Sequence, residues 1–392
     1  MNMNRLRPLP PIVILAALLV LGASGRAFPE QLKSKLGFFV DMPSGFTLKN
    51  GDGASRFAFT DPEGGMEYDI LAYESGRFPD AAALASRSLG KLGSSGDSTP
   101  YSYEGRKAVF AELGFALDGV KQKGYGLFIS GRGSGPSKED SYALLAYAPE
   151  ADFEAYSDLI LSCLDCFSID AAARRSPGPL SQFTLEWPPK RDGEKTVSLV
   201  GGGSVPLPWA EAEADQEAQT DQREYKVLSA YANETVLWRD AWARFYRMAY
   251  RESAARLDRL ALETARLVPR EDPTETARRI LAWVQGFAYE RNGTGMDFIP
   301  PLAAAYGATG ECDSRVVVAA IILERLGIDA ILMVSREYSH AMLGVDVPGG
   351  GQRFEFNGKK YLVGETTTKV GIGMIAAGMA DWTKWMGIEL AY

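Results

Sequence analysis

The stretch that decides the fold of the C-terminal half is YGATGECDSRVVVAAIILERLG, residues 306–327. Its glycines interrupt the chain before Cys312, and a nearly unbroken apolar run then starts at Val316. The run is long enough for a buried helix and closes at Gly327, a residue type that often terminates helices. The pattern therefore predicts a core helix over about 316–326, with Cys312 in its first turn.

Two interpretations of Cys312 are open at this point. The first amide groups of a helix lack partners within the helix and carry a partial positive charge, which favours a thiolate over a thiol. Because the thiolate is the reactive form of cysteine, this position suits a nucleophile. The other interpretation is that Cys312 is a small buried residue at the start of a core helix.

The chain contains one histidine, His340, which lies between two strand-like runs. A cysteine nucleophile needs a base that takes up its proton and later returns it, and imidazole suits that task near neutral pH. Glu365 ends a further short apolar strand, where a carboxylate would orient the ring and stabilise its charged form. Asp346 is a more distant candidate for this carboxylate. A lone histidine is also commonly a structural residue.

Four segments of the chain, in this order, resemble the transglutaminase-like superfamily, which shares papain-type cysteine chemistry. They are the helix end WVQGFAY at 283–289, the nucleophile segment GECDS at 310–314, the histidine strand that starts SHA at 339–341, and ETT at 365–367. In the last segment the family usually has Asp followed by Pro and Thr. The resemblance covers roughly residues 230–385, about 40% of the chain.

The resemblance implies a papain-like domain of helices and a sheet, with Cys312 as nucleophile, His340 as general base and then acid, and Glu365 as the orienting carboxylate. The replacement of Asp by Glu departs from the family pattern. The backbone N–H of Cys312 lies beside the oxyanion that forms during attack and would donate to it. Gln285 is the candidate for a second donor. This chemistry requires neither a metal nor a cofactor.

The N-terminal half, residues 28–170, is predicted to be an α+β binding domain. Alternating strands at 56–60 and 67–72 flank the turn DPEGG, further strands are expected near 107–116, 121–130 and 141–147, and helices at 79–92 and 153–163. This order and the opening PSGF motif resemble the PsbP-like fold. The resemblance implies an antiparallel sheet with helices and a docking role, without catalysis.

The first 25 residues are predicted to be a secretory signal peptide. Arg5 and Arg7 precede an apolar stretch at 12–21, and the small residues ASG follow at 23–25. The stretch is shorter than the ~20 residues of a membrane span. An uncleaved N-terminal anchor is the alternative. We expect an exported protein, periplasmic or extracellular, without a stable transmembrane span.

Length and charge restrict the remaining organisation. At ~150 residues per domain, 392 residues suggest two domains. A net charge of −8 argues against nucleic acid as a partner, and a single histidine argues against histidine-rich metal sites. We expect a linker at 171–181, a strand-rich connecting region at 182–232 and the transglutaminase-like domain at 233–392. The latter would open with one long helix over about 234–267.

Three further local expectations complete the survey. Cys163 and Cys166 would form a local disulfide or be buried together on one face of a short helix. A redox pair is poorly supported, because no strand-then-helix pattern surrounds them. The acidic stretch 211–221 is expected to be a solvated loop or short helix, since it lacks the glycine and the ligand spacing of a calcium loop. The segment DPTE at 272–275 predicts a helix start.

Taken together, the sequence predicts an exported transglutaminase-like cysteine enzyme that acts on amide bonds of proteins or peptides through a thioester. Hydrolysis is slightly favoured over cross-linking, because water is always available to an open site. The alternative is a non-catalytic envelope scaffold or peptide-binding protein that retains the triad. In both cases the N-terminal domain would contact an envelope protein partner.

Overall fold

The structure is a computed structural model that describes residues 31–131, 140–234, 236–291 and 296–391. The predicted signal peptide at 1–25 lies outside these residues. Helices and antiparallel sheets alternate along the chain, which confirms the α+β class. Within the described ranges, no helix is both long enough and apolar enough to cross a membrane.

The N-terminal region is built on an antiparallel sheet with the strand order β3-β4-β5-β9-β8-β7-β6, beside a small sheet with the order β1-β2-β10. The elements are β1 (Gln31–Lys33), β2 (Phe39–Asp41), β3 (Thr47–Gly51), β4 (Arg56–Thr60), β5 (Glu67–Tyr73), α1 (Ala81–Leu92), β6 (Ser98–Tyr103), β7 (Arg106–Leu117), β8 (Val120–Ile129), β9 (Ser141–Pro149), α2 (Phe153–Asp165) and β10 (Phe167–Ser168).

The large sheet is covered by one helix on each face. In β5 buried and half-buried residues alternate, as expected for a strand whose two faces meet different surroundings. Helix α1 packs Leu84 into the apolar cluster on one face, and α2 packs Ile160 into the cluster on the other. Asp80 caps α1 by accepting a hydrogen bond from the amide of Ala83.

Cys163 and Cys166 are free thiols buried in the core between α2 and the sheet. The Cys166 thiol donates a hydrogen bond to the carbonyl of Cys163 at 3.1 Å. Of the two open structural interpretations, burial on one face of a helix is therefore the one that the structure adopts, and the disulfide is absent.

The middle of the chain differs from the sequence expectation. It contains α3 (Pro179–Thr184), the hairpin of β11 (Gly193–Ser198) and β12 (Ser204–Trp209), α4 (Glu211–Ala230), α5 (Trp238–Ala254) and α6 (Asp258–Ala265). Residues 182–232 were expected to be strand-rich, but a 20-residue helix fills much of this region. The expected single helix over 234–267 is two helices, because a turn follows Ala254 in which the Arg256 amide bonds to the Ser253 carbonyl.

The C-terminal elements form a second α+β region. They are α7 (Pro273–Val284), α8 (Pro301–Gly307), α9 (Cys312–Arg325), β13 (Ala330–Ser335), β14 (His340–Val345), β15 (Arg353–Phe356), β16 (Lys359–Gly364) and β17 (Met386–Glu389). The strands form an antiparallel sheet in the order β15-β16-β14-β13-β17, and α9 packs against β13 and β14. The predicted helix starts are confirmed, since Asp272 caps α7 and Cys312 is the first residue of α9.

Helix α4 carries carboxylates that are buried and not solvated, so the expectation of a solvated segment at 211–221 was wrong. Glu213, Glu217, Asp221 and Glu224 are each at most 1% exposed. Arginines form salt bridges with some of these buried carboxylates. Glu213 forms a salt bridge with Arg191, and Glu224 forms one with Arg244 at 2.7 Å. Arg223, which lies on α4 itself, forms a salt bridge with Asp165 of α2.

Asp221 is the exception in this network, because neither of its carboxylate oxygens has a hydrogen-bond partner among the described residues. Burial raises the pKa of the Asp221 carboxyl well above its ordinary value. Glu217, Glu252 and Glu224 raise this pKa further, and Arg256 lowers it only in part. Burial likewise raises the pKa of Glu217 to about 7. The direction of this shift favours the protonated form of Asp221 in the folded protein.

We expect Asp221→Asn to stabilise the fold at neutral pH. In the wild type, folding must protonate a carboxyl that is ionised in the unfolded chain, and this lowers stability at every pH above its ordinary pKa near 3.8. Asparagine is neutral in both states, so the gain should be roughly 1–3 kcal/mol at pH 7. It should shrink as the pH falls towards 4. Urea unfolding between pH 8 and pH 5 measures this dependence.

The matched control is Asp215→Asn, at an exposed position on the same helix. It should change stability little at any of these pH values. A gain for Asp221→Asn that did not depend on pH would contradict the assigned protonation state.

Candidate active site

The three residues of the predicted triad come from different elements. These elements meet at one end of the C-terminal sheet, where β14 begins and β16 ends. Cys312 begins α9, His340 begins β14, and Glu365 directly follows β16. The pairing of β14 with β16 sets Leu343 opposite Gly364. Continued by one residue, this register places Glu365 diagonally across from His340 on the same face, within reach of a long side chain.

Glu365 contacts His340 as predicted for the carboxylate partner, despite its extra methylene. Its Oε2 lies 2.8 Å from Nε2 of His340, and the two side chains are only 12% and 13% exposed. Its Oε1 accepts hydrogen bonds from the amide and the hydroxyl of Thr367, at 2.7 and 2.6 Å. Both oxygens are thus fixed, so the longer side chain is held as firmly as a shorter one would be.

Asp346 does not take this position. It follows the last residue of β14, at the end of the strand remote from His340. Its carboxylate faces Lys359 at 3.8 Å. Six residues of extended strand separate the two positions, a span of about 20 Å, so no side chain bridges it.

The side chain of Cys312 lies near enough to the imidazole of His340 to raise the pKa of that ring. Burial lowers the pKa of His340, but the hydrogen bonds from Cys312 and Glu365 and their charges outweigh it and raise this pKa to about 10. Burial raises the pKa of Glu365, and the His340 contact reverses this and leaves it below its ordinary value. Both directions favour a charged imidazolium–carboxylate pair.

The start of α9 is capped by the residue before the cysteine. The Glu311 carboxylate accepts hydrogen bonds from the amides of Asp313 and Ser314 and from the hydroxyl of Ser314. The helix start therefore offers fewer free amides than the sequence suggested. Within the described part of the chain, the amide of Cys312 itself has no acceptor. It remains available as the expected oxyanion donor.

Gln285 does not serve as the second oxyanion donor in this structure. Its Nε2 donates to the carbonyls of Glu365 at 2.7 Å and of Val370 at 3.0 Å. An amide nitrogen carries two hydrogens, and both are used. Gln285 instead fixes the loop that carries Glu365, a role that its position at the end of α7 did not reveal.

Sequence reasoning missed several residues around the triad. Trp385 is 5% exposed, and its ring lies edge-on to His340 with 6.3 Å between centroids, so it shields the His340–Glu365 pair from water. Tyr246 of α5 donates to Asp313 at 2.6 Å, and the other oxygen of Asp313 lies 3.9 Å from the Cys312 sulfur. Both aromatics come from elements far away in sequence, which gave no local signal.

Glu311, Cys312 and Asp313 are close enough together to be considered as metal ligands. Their oxygens already have other roles, because Glu311 caps the helix and Asp313 receives the Tyr246 hydroxyl. A metal at this point would have to displace those bonds. We therefore interpret Glu311 and Asp313 as residues that fix the position of Cys312.

Comparison with protein-family models gives no match, and no curated protein matches the chain. Solved structures match at low identity. The cyanobacterial PsbP (CyanoP) of Synechocystis sp. PCC 6803 is 14% identical with a TM-score of 0.29, over 38% of this chain and 98% of its own. LpqN, involved in cell envelope biogenesis of Mycobacterium tuberculosis, is 13% identical with a TM-score of 0.27, over 33% and 82%.

A structure from Bacteroides thetaiotaomicron VPI-5482 is 9% identical with a TM-score of 0.25, over 84% of this chain and 88% of its own. A PsbP protein is thus among the structures that match this chain. TM-scores of this size carry no argument about the role of the protein. The transglutaminase-like resemblance stays a prediction from the sequence.

We expect His340 to titrate at unusually high pH. It is the only histidine of the chain, so tag-free protein gives a single histidine ring signal in a carbon–proton NMR spectrum. The wild-type midpoint should lie near pH 10. Cys312→Ala and Glu365→Gln should each move it down towards the ordinary value of 6.5, because each removes one of the contacts that stabilise the imidazolium.

Asp346→Asn is the control and should leave this midpoint unchanged. A wild-type titration midpoint near pH 6.5 would contradict the assignment of Glu365 as the partner of His340. A midpoint that Glu365→Gln does not change would contradict it as well.

Proposed function

We propose that the chain is an exported cysteine acyl-transfer enzyme with a transglutaminase-like domain that acts on amide bonds of proteins or peptides. The observation that carries the proposal is the buried hydrogen bond between His340 and Glu365, with the Cys312 side chain near enough to the same imidazole to raise its pKa. A structural cysteine needs no charged imidazole beside it. A nucleophilic cysteine does, because the imidazolium holds the thiolate and supplies its proton later.

The proposed reaction starts from a Cys312 thiolate and a protonated His340. The thiolate attacks the amide carbonyl carbon, a carbon–sulfur bond forms, and the carbonyl oxygen becomes an oxyanion that the Cys312 amide stabilises. As the tetrahedral intermediate collapses, the carbon–nitrogen bond breaks and His340 gives its proton to the leaving amine. A thioester on Cys312 and a neutral His340 remain.

The thioester is released by a second attack. Neutral His340 takes a proton from water or from an amine as this acceptor attacks the thioester carbon. The carbon–sulfur bond then breaks, which frees a carboxylic acid or a new amide and restores the thiolate–imidazolium pair. Glu365 stays ionised throughout and stabilises the imidazolium form. We favour water as acceptor, and the N-terminal domain as a docking module for an envelope protein partner.

Alkylation with iodoacetamide tests the nucleophile directly. Cys163 and Cys166 are at most 1% exposed, and burial raises the pKa of both thiols, that of Cys166 to about 12. In the native protein only Cys312, which is half-buried, should react. We expect Cys312 to be labelled at pH 7 roughly tenfold or more faster than an exposed model thiol, as measured by mass spectrometry.

The variants separate the three proposed roles. Cys312→Ala should abolish turnover and keep the fold, because alanine is well suited to a helix. His340→Ala should lower turnover by roughly 10²–10⁴-fold and also slow the alkylation of Cys312. Glu365→Gln should have a smaller effect, since it keeps the shape and loses the charge. Ammonia release from glutamine peptides, cleavage of peptide libraries and incorporation of a labelled amine measure turnover.

Asp346→Asn serves as the control and should retain both turnover and labelling. If wild-type Cys312 reacts no faster than a model thiol and His340→Ala makes no difference, the enzymatic proposal fails. The non-catalytic scaffold would then be the better interpretation.

A further inference from the structure

Arg315 is a buried arginine close to the nucleophile. It lies on α9 three residues after Cys312 and is only 2% exposed. Its guanidinium donates to three backbone carbonyls: from Nε to Gly310 at 2.8 Å, from Nη1 to Thr366 at 3.1 Å and from Nη2 to Phe287 at 2.8 Å.

These three carbonyls belong to the three segments that frame the site. Gly310 lies in the loop that leads into Cys312, Thr366 directly follows Glu365, and Phe287 follows Gln285 at the end of α7. The loops are far apart in sequence, and a planar fork with fixed donor directions holds them together. Thr366 adds a second link, since its hydroxyl donates to the Cys312 carbonyl at 3.3 Å.

The positive charge of Arg315 is not neutralised by a close acid. All three acceptors are carbonyls, and none of the carboxylates in the described ranges lies within salt-bridge distance. The charge acts instead on Cys312, Glu365 and Tyr289, whose ring lies 5.5 Å away. A buried arginine without a carboxylate is costly for folding, so a use for its charge is expected.

The acidic residue at the start of α9 makes the positive charge of Arg315 more important for Cys312. The Glu311 carboxylate takes up the free amides of Asp313 and Ser314 and adds a negative charge beside the sulfur. Both effects weaken the positive potential that the helix start presents to the sulfur. A fixed positive charge on the same helix counters them.

We infer that Arg315 is a positioning residue of the proposed cysteine site, which holds the Cys312 and Glu365 loops together and places a buried positive charge beside the nucleophile. The inference rests on the proposed function, because positioning has a meaning only if Cys312 reacts. Lysine cannot replace this arginine fully, since a single ammonium does not reach three divergent carbonyls.

The chain provides a matched control in Arg251. This residue is also buried and also donates to three carbonyls: from Nε to Ser176 at 3.1 Å, from Nη1 to Asp165 at 2.7 Å and from Nη2 to Phe167 at 2.8 Å. These carbonyls belong to the N-terminal region and the segment after it. Arg251 therefore shares the structural role of Arg315 without contact to the triad.

The experiment compares Arg315→Met, Arg315→Lys and Arg251→Met in the full chain. Urea unfolding measures stability, and the rate of iodoacetamide labelling at Cys312 is followed from pH 5 to pH 10. We expect both methionine variants to lose stability. Only Arg315→Met should also slow labelling at pH 7, by roughly tenfold, and move the labelling profile to higher pH. Arg315→Lys should show a smaller change, because it keeps the charge.

The outcomes distinguish this inference from the proposed function. Slow labelling of the wild-type protein overturns the proposed function and the inference with it. Fast wild-type labelling that both Arg315 variants retain overturns the inference alone. If Arg315→Met does not fold, Arg315→Lys decides: a labelling profile equal to that of the wild type refutes the role of loop positioning.

Discussion

The candidate site depends on the burial of α9. From Val316 to Leu323 each residue of this helix is 0% exposed, because it packs on the sheet strands β13 and β14 on one side and on α7 and α8 on others. A helix held on all sides cannot slide or rotate without opening cavities. The position of its first residue, Cys312, is therefore fixed relative to the end of the sheet where His340 begins β14.

Groups of both charges surround Cys312. Glu311 and Asp313 bring two carboxyl groups close to the sulfur, and their main bonds are to the helix amides and to Tyr246. Opposite them stand the imidazole of His340 and the guanidinium of Arg315. Because the side chains of His340 and Glu365 are only 13% and 12% exposed, the attraction between these groups is stronger than it would be at a surface.

The N-terminal region reaches the same helices through polar contacts. Arg247 of α5 forms a two-pronged salt bridge with Asp41 of β2, and Tyr246, the residue before it, holds Asp313. Adjacent residues of one helix thus contact the N-terminal region and the residue next to Cys312. Such buried ionic contacts specify a geometry more than they add stability.

The sequence by itself determined the local features of this protein. The apolar run after Gly310 defined α9, the segment at 272–275 defined the start of α7, and the alternation in the N-terminal half defined its strands. It also singled out Cys312, His340 and Glu365, because these residue types stand out at a helix start and at strand ends. Each of these signals acts over a few residues, where periodicity and capping are decisive.

Only the tertiary structure decided which groups meet across long stretches of sequence. It selected Glu365 over Asp346 through the register of β14 with β16, gave Gln285 a different partner, and brought Trp385 and Tyr246 to the site. It also showed that acids of α4 are buried, although their sequence is typical of a solvated segment. Arginines from other elements form salt bridges with some of these acids. A contact between distant segments leaves no periodic trace in either one, so the chain must be folded before such partners are known.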